Sequence, residues 1–327
     1  MRNTRWISGA GAALGMLILI LDGKTAISGA TEGLQICMRS VVPALFPFFV
    51  LSGVMTSSLS GMGFPFRIPI VPQGAESLLI TGFLGGYPVG AQSIAQAYRS
   101  GQLTHDQAER MLGFCNHAGP SFLFGMLAPL FPSMKYCWML WGIHIFSGLI
   151  AGILLSGDPG TAYIRPGKPM TLSDAVQQAI KVMASVCGWI ILFRIVIAFL
   201  DRWIFWILDI RVKTLIIGLL ELSNGCLECS SITDVTQRFV ACSAFLAVGG
   251  LCITMQTVSV TRGLGLRYYF PGKAIQASVS VLLSWAILPK QNLPLWVPSL
   301  ALMIGLFSVG ILRKMQKCSS NPQPIGV

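Results

Sequence analysis

Gly85-Gly86-Tyr87-Pro88-Val89-Gly90 breaks an otherwise apolar segment, residues 76–100, and Leu222-Ser223-Asn224-Gly225-Cys226 breaks a second, residues 212–234. Each half is about nine to twelve residues long, whereas a helix needs roughly 20 to cross a hydrocarbon core about 30 Å thick. A re-entrant hairpin of two half-helices therefore fits each segment better than one kinked span. Non-helical backbone at membrane depth is tolerated only where protein or a water-filled cavity satisfies its polar groups. The two breaks thus imply an interior polar site.

The flanking sequence supplies the membrane. Of 327 residues, 54% are apolar and 11% charged, with a mean hydropathy of +0.70, against roughly 25% charge in soluble domains. Apolar blocks at 6–21, 41–59, 111–131, 136–155, 182–200, 239–258, 274–288 and 295–312 predict eight spans. The expected fold is an all-α polytopic membrane protein of about eight transmembrane helices plus two re-entrant helical hairpins. A soluble globule and an extended soluble catalytic domain are excluded. The net charge of +11 comes from basic residues scattered singly between the blocks, as in loops beside membrane spans, so nucleic acid is not an expected partner. Arg2, Arg5 and block 6–21 have the form of a secretory signal with Ser28-Gly29-Ala30 as a cleavage site; a retained first span is the preferred reading. The nine cysteines lie mostly inside apolar blocks, where Cys acts as a small hydrophobe.

The broken segments also resemble each other. Residues 80–85 can be laid on 216–221, and the spans that follow align through Phe114 on Phe245 and Gly119 on Gly250. Three spans separate the hairpins; an odd number places them on opposite faces, an inverted repeat of the kind that sets a transporter's site at the midplane. A cytoplasmic N-terminus puts 14 Lys and Arg inside, Lys273 just ahead of block 274–288 among them, and eight outside. Both termini are therefore expected in the cytoplasm. The chain divides into an N-terminal span with an amphipathic connector (1–40), a first repeat with its hairpin (41–155), a loop and linking span (156–211), a second repeat with its hairpin (212–312) and a basic tail (313–327).

Arg194 and Glu221 fall at membrane depth, where an ionisable group is costly unless paired or wet. They read either as a structural ion pair, with Arg194 snorkelling as a further option, or as a counter-charge for an anionic substrate and a proton or cation site. Asn116, His117 and Ser121 surround Pro120, whose missing N–H frees carbonyls one turn earlier. His117 reads as helix packing or as part of a site. Gln256, with Thr254, occupies the comparable place on the repeat-related span, with interhelical hydrogen bonding as its other reading. Gly86, Gly90 and Gly225 would let a ligand approach backbone amides at half-helix starts, with a packed turn as their other reading. Cys226-Leu227-Glu228-Cys229 lacks a second ligand pair, so neither metal nor cofactor is expected. No nucleophile and base pair stands out, and an enzyme is not expected.

Pro43-Ala44-Leu45-Phe46-Pro47-Phe48-Phe49, Gly86-Tyr87-Pro88-Val89-Gly90-Ala91, Phe114-Cys115-Asn116 with Pro120, Leu220-Glu221 with Asn224-Gly225, and Gly249-Gly250-Leu251 with Gln256 together resemble the YlbJ-type sporulation integral membrane proteins. That family belongs to the nucleoside-recognition or gate domain group, distantly similar to concentrative nucleoside transporters, and the resemblance spans roughly residues 40–290. It implies a role in endospore formation, a bacterial membrane surrounding the forespore, and passage of dipicolinic acid, a small aromatic dicarboxylate, from mother cell toward forespore. It also implies that Gly86, Tyr87, Pro88, Gly90, Asn116, Ser223, Asn224, Gly225 and Gln256 face substrate. Arg194 after Phe193, Cys252 after Leu251 and a short loop at 156–171 depart from the pattern. The expected function is a permease for a small anionic metabolite within the lipid bilayer, and a homo-oligomer is compatible with the sequence. The alternatives are a non-transporting sporulation assembly or signalling protein, and a nucleoside-type transporter.

Overall fold

The computed structural model describes residues 2–62, 67–155, 157, 160–165, 169–288 and 294–320. Lys168 and Lys290, which enter the charge count, and the end of the tail (321–327) lie outside them. Among the described residues the regular structure is all helix, with one isolated backbone bridge between Gln73 and Thr161.

Helix α1 (Arg2–Leu21) is followed by α2 (Gly23–Ile36), a π turn (Cys37–Val41) and α3 (Val42–Leu59). The last three form one continuous 37-residue helix. The amphipathic connector expected at 22–40 is therefore part of a span, and its glycines show why. A Cβ on Gly29 would lie 2.9 Å from Ile195 Cα and one on Gly33 2.9 Å from Ile191 Cα, so two small residues one turn apart let α2 lie directly on α8 (Leu172–Trp203).

The first hairpin is α4 (Glu76–Gly85) and α5 (Val89–Arg99). Next, α6 (His105–Leu112) starts at a capping box in which Thr104 Oγ1 accepts from Gln107 N at 3.2 Å and Gln107 Oε1 accepts from Thr104 N at 2.9 Å. Block 111–131, expected as a continuous span, unwinds after Leu112; Asn116 to Gly119 belongs to no helix, and the chain resumes only as a π turn (Ser121–Leu127) and a 3-10 turn (Ala128–Leu130). Pro120 lacks the N–H that a continuous helix would use there. Gly119 packs so closely on the first hairpin that its Cβ would lie 3.0 Å from Gly86 Cα.

Beyond α7 (Met134–Leu155) and α8, the second hairpin is α9 (Ile210–Leu220) and α10 (Leu222–Glu228). Block 239–258, also expected to be continuous, is α11 (Val235–Val248) and α12 (Gly250–Val260), joined where Gly249 and Gly250 take φ of +76° and +78°. Only glycine adopts that conformation readily. The chain ends in α13 (Tyr269–Ile287) and α14 (Trp296–Ser320).

Five segments are long and apolar enough to cross a membrane by themselves: Gly23–Leu59, Met134–Leu155, Leu172–Trp203, Val235–Val260 and Trp296–Gln316. Of the other blocks expected to span, the first has a short apolar stretch at Gly9–Leu21, the second is the unwound 111–131, and α13 carries Lys273, Gln276, Ser278, Ser280 and Ser284 inside it. Large apolar side chains such as Ile20, Trp206, Met303 and Phe307 point outward while Asn116, His117, His144, Gln256, Lys273 and Gln276 are buried. An apolar exterior around a polar interior is the arrangement a lipid solvent selects.

Candidate functional site

Both hairpins close on a pair of glycines. A Cβ on Gly90 would lie 3.0 Å from Gly82 Cα, and one on Gly225 would lie 2.8 Å from Gly218 N. Gly82 and Gly218 are the positions paired by the internal alignment. After each hairpin the next segment breaks against the end of the first half-helix: a Cβ on Gly119 would meet Leu84 O at 3.4 Å, and one on Gly250 would meet Gly218 O at 3.0 Å and Leu220 O at 3.4 Å.

At the first tip, Gly86 (φ +72°) ends α4 and Tyr87 turns inward. At the second, Glu221 is extended and caps α10, its carboxylate accepting from Ser223 N at 3.0 Å, Asn224 N at 2.6 Å and Asn224 Nδ2 at 2.6 Å. The tips meet across a small cavity of about 40 Å³ lined by Gly86, Tyr87, Ser121, Glu221, Ser223 and Gln256 and walled by Val41, Leu45, Phe49, Val186 and Ile190. One water needs about 10–15 Å³ of such volume, so the cavity has room for a few waters and is too small for an aromatic acid. Gln256 Oε1 is buried there without a partner.

Two larger cavities flank it. One, of about 460 Å³, is lined by Ser52, Thr56 and Ser57 of α3, Ser77 and Thr81 of α4, Gln92, Ser93 and Gln96 of α5, and Gln178 of α8, with Arg165 as its charged residue; Phe49 borders both this cavity and the central one. The other, of about 370 Å³, is lined by Glu32, Gln35, Arg39, Ser40, Arg194, Asn224 and Glu228. Along α8 the lining runs Ala175, Gln178, Ala179 and Val182 in the first cavity, Val186 and Ile190 in the centre, and Arg194 in the second. Steps of three and four residues are one helix face. The Gly23–Leu59 helix lines the same three in reverse order, so the cavities are stacked along two long helices. The first hairpin lines the Ala175 end, the second the Arg194 end, and both tips reach the middle.

Of the residues expected at the site, Gly86, Tyr87, Ser121, Glu221, Ser223 and Gln256 come together at the central cavity. Pro88 caps α5 behind the tip, Gly90 and Gly225 form the hairpin crossings, and Asn224 holds Glu221. Asn116 lies one layer back, donating from Nδ2 to Thr257 Oγ1 at 2.8 Å, with its Oδ1 unpartnered. His117 stacks on Phe83 with centroids 4.1 Å apart and holds the unwound stretch through Phe114 O and Gln276. His144 Nε2 accepts from Ala118 N at 3.2 Å, fixing the same stretch. Arg194 does not meet Glu221: it pairs with Glu32 and, at 3.7 Å, with Asp201, at the rim of the second cavity. Among the described residues no three His, Cys, Asp or Glu side chains gather as a metal site.

Lys273 was not expected here. Counted among loop cations because the apolar block begins at 274, it lies inside because α13 starts one turn earlier, at Tyr269. Its Nζ donates to Asn116 O, to Tyr87 Oη at 3.0 Å and to Gln276 Oε1 at 3.3 Å, and sits 5.0 Å from the Tyr87 ring centre. Among the described residues no carboxylate pairs with it.

Fold and site together define an integral, multi-pass α-helical membrane protein with a polar interior reached by two half-helix tips. No family model matches the chain, and no solved structure is similar to it. The chain is similar to the sporulation integral membrane protein YlbJ of Bacillus subtilis (strain 168), with 24% identity over 82% of this chain and 79% of that protein. The likeness bears out the YlbJ-type resemblance carried by the sequence motifs.

Proposed function

We propose that the protein is a secondary-type permease that passes a small anionic metabolite between the two end cavities through the site at the hairpin tips. The observation that carries this reading is the stack of three cavities along α8 and the Gly23–Leu59 helix, with a hairpin entering from each end. In this reading α1, the broken segment 105–130 and α13 join the five long apolar segments as eight crossings, and the two halves form an inverted repeat. The matched glycine crossings and the matched breaks at Gly119 and Gly250 support it. Such repeats give alternating access by rocking one half against the other around a fixed site. In this reading the central cavity, about 40 Å³, is the site in a closed form. Entry from the larger cavity requires Phe49, which borders both, to move.

The substrate we infer is dipicolinic acid, moved at a membrane around the forespore during sporulation. The support is the YlbJ-type likeness, together with a vestibule whose polar lining is Ser, Thr and Gln with a single charge, Arg165, of the sign that suits an anion. The test is twofold. Purified protein in liposomes should accumulate labelled dipicolinate, and expression in a Bacillus subtilis strain lacking YlbJ should restore spore dipicolinate. Failure of both refutes the substrate, and movement of nucleosides in place of dipicolinate would make this a nucleoside-type transporter.

A further inference from the structure

A buried ammonium is normally matched by a carboxylate, because removing an unpaired charge from water is costly. Lys273 is 4% exposed and is met by a phenol oxygen, a backbone carbonyl and a side-chain amide, all neutral. The acid nearest the tips, Glu221, has its oxygens held by N–H groups at its own helix start and makes no ion pair with Lys273. Lys273 itself borders a separate, mostly apolar cavity of about 780 Å³ between α9, α11, α13 and α14, and it faces the central cavity across the Tyr87 ring, whose centre lies 5.0 Å from Nζ. In a low-dielectric interior that charge biases what the central cavity accepts.

Resting on the permease reading, we propose that Lys273 is the residue that selects substrate charge, its ammonium behind the Tyr87 ring favouring a small aromatic acid over a neutral analogue between the tips. The unpartnered Gln256 Oε1 and the Ser121 hydroxyl, both on the same cavity, supply polar contacts to the rest of such a ring. Lys273 acts through the Tyr87 tip and across its ring, which makes it a positioning and selectivity residue.

The test follows thermal unfolding of the purified full-length protein with three probes: benzoate, pyridine-2,6-dicarboxylate and the neutral pyridine-2,6-dicarboxamide. The acids should stabilise wild type and Lys273→Arg in preference to the diamide. Lys273→Gln should lose at least tenfold in apparent affinity for the acids while its affinity for the diamide is unchanged or improved. A preference for acids that survives in Lys273→Gln, or a wild type that no acid stabilises, overturns the proposal. Should Lys273→Gln fail to unfold cooperatively, Lys273→Met takes its place, and absence of acid-over-diamide preference in wild type remains decisive. Flux in liposomes separates the two claims: Lys273-dependent acid binding without flux refutes the permease and leaves charge selection standing. Flux that Lys273→Gln leaves equally selective does the reverse.

Discussion

Glu221 and Arg194 are both ionisable groups at membrane depth, and the structure satisfies them in different ways. Glu221 is 1% exposed and stable there because α10 begins at it, so its oxygens take the orphan N–H groups of the first turn. Loss of a capping side chain costs about 1 kcal/mol and each buried donor left bare roughly 1–3 kcal/mol more. Glu221→Ala should therefore lower the unfolding temperature in detergent by more than Glu221→Gln, whose amide oxygen still accepts one of the N–H groups; equal losses would remove the cap argument. Arg194 is 19% exposed in its side chain and its partner Glu32 is 43% exposed; both line the second cavity, and water in that cavity screens the pair to about 0–1 kcal/mol. Arg194→Gln should shift stability within that range by chemical denaturation. The sequence placed the interior cation at Arg194 and missed Lys273 for a physical reason. A helix start is read from its cap, but Tyr268, at the N-cap of α13, makes no side-chain capping bond, so nothing in the sequence marks that the helix takes in residues 269–273.

Hairpins were legible as elements because their glycines and proline stand inside apolar sequence, where backbone can turn only if something polar receives it. The breaks in 111–131 and 239–258 were not, although Gly119-Pro120 and Gly249-Gly250 mark them. Apolar composition describes what faces lipid, and it is the same for a continuous helix and for one that unwinds against a neighbouring hairpin. The partner that makes unwinding favourable is more than 30 residues away in sequence, as Gly86 is from Gly119. The glycine crossings make a sharp prediction at this scale. Gly225→Ala puts a methyl group 2.8 Å from Gly218 N, against backbone that cannot swing away; overpacking of this kind costs about 1–3 kcal/mol or more. Gly53→Ala adds the same methyl group 3.6 Å from Met170 Sδ, an ordinary contact with a flexible side chain. In size-exclusion profiles of detergent extracts, Gly225→Ala should lose the folded peak and Gly53→Ala should keep it. Equal behaviour would mean that the second hairpin is not closed at Gly218 and Gly225.

At the scale of the whole molecule, the two long helices carry the argument, since each meets the three cavities in order and in opposite directions along its sequence. That ordering turns topology into an accessibility question. In a variant whose nine native cysteines are replaced, Ser57→Cys and Gln178→Cys line the larger end cavity and Gln35→Cys and Ser40→Cys the other. A membrane-impermeant maleimide should reach the first pair from one side only and the second pair from the opposite side only; labelling of all four from one face would collapse the opposed arrangement. Val186→Cys, in the central cavity, should resist the reagent from both sides, because about 40 Å³ leaves no passage for it. Phe49 lines both that cavity and the larger vestibule. Phe49→Ala should therefore make Val186→Cys reactive from the Ser57 side while leaving it protected from the Ser40 side. Protection retained from both sides would place the barrier elsewhere, and reactivity from both would mean that the tips do not close the path independently.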